Sequence, residues 1–195
     1  KSSAYLVYSE ITKDYIKNGG FKITADDGTE RIYGDYANAA GKAADGIVTM
    51  LHDYTGNDSI ASGTSSGTLD LNGNTFTSLS SDQMVQINYD NAGITIRNGT
   101  LTGTAEALSK GGITALYNNT TLVLENVIMN VPGDSYGIVT NGTNTGNSVT
   151  LKNSTLNVPD GLGIYFPSDG NVTIENSKIN AKHVGVQMCA GSLTV

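Results

Sequence analysis

The residues of this 195-residue chain that could act on or hold another molecule are few and scattered. The acids expected to point outward are Asp70, Asp82, Asp90, Asp134, Asp160 and Asp169. Carboxylates are hard oxygen ligands suited to calcium, provided several converge. Asp134, Asp160 and Asp169 are the candidates for such a site if they lie on related edges. Turn chemistry offers a plainer account, because Val131-Pro132-Gly133-Asp134 and Val158-Pro159-Asp160-Gly161 are nearly matching turns. His52 and His183 share no ligand spacing and read as surface histidines. Cys189 has no histidine paired with it by pattern, so a buried or half-buried thiol is expected rather than a nucleophile. No catalytic residue is assigned.

The tyrosines carry more promise. Tyr89 and Tyr117 follow equivalent strands, Tyr136 begins the next, and Tyr165 points outward from the one after. Exposed rings of this kind can stack on sugars, with Gln86, Thr114 and Gln187 bonding to hydroxyls. The competing account is that the rings cover strand edges and corners.

What must position these residues is a repeat. Residues 93–102, Gly-Ile-Thr-Ile-Arg-Asn-Gly-Thr-Leu-Thr, recur in variant form at 68–77, 121–130, 148–157 and 171–180, and begin again at Ser192. A period of about 20–30 residues built of short β segments signals a solenoid. Alternation of period two sets inward rows Leu69, Ile94, Leu122, Val149, Val172, Leu193 and Leu71, Ile96, Leu124, Leu151, Ile174, Val195. A third row, after a corner, is Phe76, Leu101, Met129, Leu156 and Ile179. Asp70, Thr95, Val123, Thr150, Thr173 and Thr194 then point outward.

The corner itself is Gly73, Asn98, Asn126, Asn153 and Asn176, residue types that tolerate left-handed backbone angles and whose amides can bond along a stack. Before it stand Asn72, Arg97, Glu125, Lys152 and Glu175, alternating in sign from Arg97 onward, which reads as register control. A second strand per coil runs through 85–87, 113–115, 138–140, 164–166 and 186–188.

Residues 1–56 do not obey the repeat and are expected to form an N-terminal cap. Strands are expected at 3–9 and 21–25, a turn at Asp26-Asp27-Gly28-Thr29 into a strand at 30–33, a short helix over 36–44 and a strand at 47–51. Residues 57–195 are expected to be coils, with 57–67 a loop or irregular early coil and Val195 in the middle of the last one. Fold class is therefore all-β, a three-faced parallel β-helix with a capped N-terminus.

Formal net charge is -7, without a Lys/Arg cluster, which argues against a phosphate backbone as partner. No run approaches the roughly 18 apolar residues of a membrane span. The single cysteine precludes an internal disulfide framework.

Coils such as Val149-Thr150-Leu151-Lys152-Asn153-Ser154-Thr155-Leu156 resemble the right-handed parallel β-helix of the pectate-lyase-like superfamily. The first coil, Leu69-Asp70-Leu71-Asn72-Gly73-Asn74-Thr75-Phe76, resembles the opening coil of repetitive surface proteins of Gram-positive gut bacteria, which also follows an Ala-rich segment and a strand. The resemblance covers roughly residues 30–195. It implies either a non-catalytic adhesion or glycan-binding module at the cell surface or outside the cell, flanked by further domains, or a carbohydrate-active enzyme. A purely structural stalk is a third reading. A lyase of that kind would need a calcium-binding carboxylate cluster and an Arg or Lys base; a hydrolase would need close-set aspartates. Neither constellation is evident, since Arg97 lies in the charge row and threonines follow Asp70. The partner expected is a polysaccharide, a host glycan or a surface protein.

Overall fold

A computed structural model describes residues 20–25, 27–43, 46–57, 59–61, 66–103 and 111–195. The cap comprises β1 (Phe21–Thr24), β2 (Glu30–Tyr33) and helix α1 (Tyr36–Ala43). The expected strand at 3–9, and Asp26, Ala44 and Asp45 of the expected turn and helix end, lie outside the described residues. β1 and β2 pair antiparallel, and Asp27 Oδ1 accepts from Thr29 N at 2.9 Å within their turn. Asp35 starts α1 by accepting from Asn38 N at 2.8 Å, satisfying one of the free donors of the first turn. The helix buries Tyr36 and Ala39 and leaves Ala37 exposed.

Three faces follow. The first is formed by β3 (Ile47–Met50), β6 (Ser66–Asp70), the leading halves of β9 (Gly93–Gly103) and β11 (Thr121–Asn130), then β13 (Asn147–Lys152), β16 (Gly170–Glu175) and β19 (Ser192–Thr194). The second takes β4 (Tyr54–Gly56), β7 (Thr75–Ser78), the trailing halves of β9 and β11, β14 (Thr155–Val158) and β17 (Lys178–Ala181). The third stacks β5 (Ile60–Ala61), β8 (Val85–Ile87), β10 (Ile113–Ala115), β12 (Tyr136–Thr140), β15 (Leu162–Phe166) and β18 (Val186–Met188). All pairing between coils is parallel, and it begins at β3 and β4. β5 gives partial order to the stretch read as an irregular early coil.

The rows fill the core as the alternation predicts, with one change of register and with Leu193 and Val195, expected inward, exposed. Ile94, Ile96, Leu122, Leu124, Val149, Leu151 and Val172 are buried inward positions of the first face, and Phe76, Leu101, Met129 and Leu156 of the second. Each such side chain contributes on the order of 1.5–3 kcal/mol. In the first coil, however, Leu69 is level with Ile96 and Asp70 with Arg97, so the stack there is two residues off the expected one. Phe76 remains level with Leu101, and the surplus residues widen the first corner. Asn72 and Gly73 both take positive φ there (51° and 82°), and Leu71 packs beneath Gly99.

Asp70 therefore leaves the outward threonine row, where Thr68 stands instead, and heads the charge row in place of Asn72. Arg97 Nε donates to Asp70 Oδ2 at 2.9 Å, and Lys152 reaches Glu125 at 3.7 Å. Every later corner asparagine has positive φ: Asn98, Asn126, Asn153 and Asn176, at 60°, 56°, 48° and 45°. Asn126 Nδ2 donates to Asn98 Oδ1 at 3.2 Å, and Asn98 Nδ2 to Asp70 Oδ1 at 3.2 Å. A second left-handed corner, not expected, precedes the first face at Asn91 and Asn119.

A glycine row on the third face narrows the coils. Gly112, Gly137, Gly163 and Gly185 stack at one level, and a Cβ on Gly137 would come within 2.8 Å of Val158 and meet the Gly163 carbonyl. Side chains of the second face thus press directly on bare backbone.

Candidate functional site

The sugar-binding candidates all belong to the third face or its margins, but they form two pairs. β12 and β15 align Val139 with Tyr165 and Tyr136 with Leu162, and this brings the Tyr136 and Tyr165 rings together. Their centroids are 5.3 Å apart with an interplanar angle of 25°, an offset stack. Tyr136 is 39% exposed. Gln187 lies level with Tyr165 on the next strand and is exposed. Cys189 completes this end: its thiol stands beside the Tyr165 hydroxyl and raises that phenol above its ordinary range, helped by partial desolvation and by Tyr136. Cys189 is exposed rather than buried or half-buried, because it lies just past the last residue of β18.

Tyr89 and Tyr117 make the second pair. The register of Ile87 with Ala115 sets them one coil apart, about 4.8 Å along the axis, at the far ends of β8 and β10. They are 48% and 43% exposed. Beside them Asp90 Oδ1 accepts from Asn118 N at 2.8 Å and from Asn118 Nδ2 at 3.2 Å. Gln86 belongs to this pair, its Oε1 accepting from Asn88 Nδ2 at 2.9 Å. Four rungs, about 19 Å, separate Gln86 from Gln187. Thr114, expected to meet a ligand hydroxyl, is only 4% exposed and drops out.

The acids do not converge. Asp134 and Asp160 lie in turns of neighbouring coils between the second and third faces, whereas Asp169 lies at the corner leading into the first. Asp134 is highly exposed, with His183 Nε2 3.9 Å from its Oδ1, an ion pair only when the imidazole is protonated. Among the described residues no three His, Cys, Asp or Glu side chains gather as a metal site. Asp134 and Asp160 share a corner on adjacent coils, and Asp169 lies at another, so the three expected calcium ligands are not brought together.

A feature that the sequence reading missed lies on the second face. Asn130, Asn157 and Asn180 stack in register and line, with Pro159 and Lys182, an open depression of about 620 Å³. Asn157 Nδ2 donates to Asn130 Oδ1 at 2.8 Å, and Asn180 Nδ2 to Asn157 Oδ1 at 2.7 Å. The signal was present, since Met129-Asn130, Leu156-Asn157 and Ile179-Asn180 repeat the same pair at the same point of the coil.

Against known families, the one described as right-handed beta helix region matches residues 51–195. The chain belongs to that family, and the solenoid is right-handed. No curated protein and no solved structure matches it.

Proposed function

We propose that this right-handed β-helix is a non-catalytic glycan-binding module of an exported bacterial surface protein, taking its ligand on the third face. The observation that carries the reading is the stacked pair of exposed Tyr136 and half-buried Tyr165, with exposed Gln187 level beside it. A pyranose offers an apolar face to a ring and hydroxyls to an amide at its edge, and rigid tyrosines supply that contact at small entropic cost. Tyr89 and Tyr117, with Gln86 behind them, repeat the same combination at the other margin. The single cysteine is compatible with a bacterial surface protein that dispenses with disulfides, as it is with a cytosolic one.

A glycan array, followed by calorimetric titration of the sugars that bind, tests this. Tyr136→Ala and Tyr165→Ala are each expected to raise Kd about fivefold to tenfold, corresponding to about 1 kcal/mol per lost stacking contact. A bound sugar indifferent to all four tyrosines would overturn the assignment of the face. Release of unsaturated or reducing ends from a polysaccharide would instead support the carbohydrate-active-enzyme reading. A blank array would leave a stalk.

A further inference from the structure

Asparagine is abundant in this chain for a reason that fails at three positions. At the corners it is held by positive φ, as at Asn98, Asn126, Asn153 and Asn176. Asn130, Asn157 and Asn180 have no such backbone; they are outward residues within β11, β14 and β17. Asparagine is a poor strand former. Earlier coils fill this same row with Thr77 and Thr102, good strand formers that satisfy the fold equally well. Backbone geometry therefore does not call for the amides.

The hydrogen bonding shows what they present. Each ladder bond consumes one N–H and one oxygen lone pair, with Asn180 donating to Asn157 and Asn157 to Asn130. An amide has two N–H groups and two acceptor sites, so every rung keeps a donor and an acceptor to spare. Their side chains are fixed by one another, so a ligand meets them already ordered. The rungs repeat at about 4.8 Å, close to the advance of one sugar along an extended chain. Pro159 and Lys182 wall the depression, the ammonium adding a donor. A volume of about 620 Å³ accommodates a short oligosaccharide.

We infer that the Asn130–Asn157–Asn180 ladder is a second saccharide site, on a different face from the tyrosines, in which a linear neutral oligosaccharide lies along the solenoid axis. Hydroxyls match it because each is donor and acceptor at once, as each rung is. The choice of a saccharide rests on the reading of the third face; the site itself rests on the ladder.

The test is side-chain amide NMR on the whole chain, titrated with linear gluco-, galacto- and manno-oligosaccharides and with the single sugars. Saturable shifts of the Asn130, Asn157 and Asn180 amides are expected, stronger for the oligomers. Asn157→Ala should raise the ladder Kd about tenfold. Lys182→Ala, an exposed change that leaves the coils intact, should raise it about threefold. Shifts confined to the third face would overturn the ladder site and leave the tyrosine reading standing. Shifts at the ladder with the third-face Gln86 and Gln187 amides silent would do the reverse. No shift with any sugar, or ladder affinity unchanged in both variants, also overturns the ladder site.

Discussion

The corner asparagines and Asp70 show how much rests on single side chains. Asn126 holds φ at 56°, a conformation costing a residue with an ordinary Cβ on the order of 1 kcal/mol. Asn126→Gly should be nearly neutral in urea unfolding, whereas Asn126→Ala should lose about 1 kcal/mol or somewhat more. Asp70 accepts from Arg97 Nε, Asn98 Nδ2 and Asn72 N at 2.9, 3.2 and 2.9 Å. Asp70→Ala is therefore expected to cost more than Arg97→Ala, about 1–2 kcal/mol, and a double-mutant cycle should assign less than half of that to the ion pair. The left-handed corner was legible because only a few residue types adopt it. Asp70 was not. Leu69 and Leu71 are both apolar, and a slip of two residues keeps every side chain on its proper face, so alternation cannot choose between the two registers.

At the scale of elements, the glycine row governs how close two faces come. A methyl on Gly137 would meet Val158 Cγ2 at 2.8 Å and Leu156 Cδ2 at 3.0 Å, besides the Gly163 carbonyl, so the strands would have to separate. Gly137→Ala should destabilise by about 1–3 kcal/mol in urea unfolding, while Gly41→Ala in α1, with nothing within 4 Å, should be neutral or stabilising. This row escaped the sequence reading because a missing side chain has no meaning until the opposing wall is known. The same holds for the site. Tyr136 and Tyr165 come from unlike positions of their strands, one at the start and one within, and only the paired register of β12 and β15 reveals that their rings meet. The rows of the first two faces were readable because they are printed in hydrophobicity; the tyrosine pairs depend on loop lengths that vary from coil to coil.

For the molecule as a whole, stability should be graded along the axis. A coil touches only its neighbours, so opening starts at an end. For residues 1–195 as a separate polypeptide, hydrogen exchange should be slowest in β9, β11 and β13 and fastest in β18 and β19, where Leu193 is 43% exposed. Uniform protection would contradict the one-dimensional picture. The capped end has its own pH limit. Burial of Tyr36 against Phe21 raises its phenol well above the ordinary 10.0, because the phenolate would lose its hydration. A raised folded-state value means the contribution is complete below 10.0 and is lost as pH rises beyond it, since the unfolded chain ionises first. Tyr36→Phe should flatten the alkaline arm of the stability profile above that pH. An unchanged profile would show that the phenol ionises freely in the folded cap.

The charge row has an arithmetic of its own. Reading along the axis, Asp70, Arg97, Glu125, Lys152 and Glu175 alternate without a fault, one charge per coil. Cutting out a single interior coil would leave two like charges facing each other across one rung, while cutting out two adjacent coils would restore the alternation. The solenoid thus carries a parity rule. Its length can change by even steps at little electrostatic cost, and odd steps are marked by a local clash.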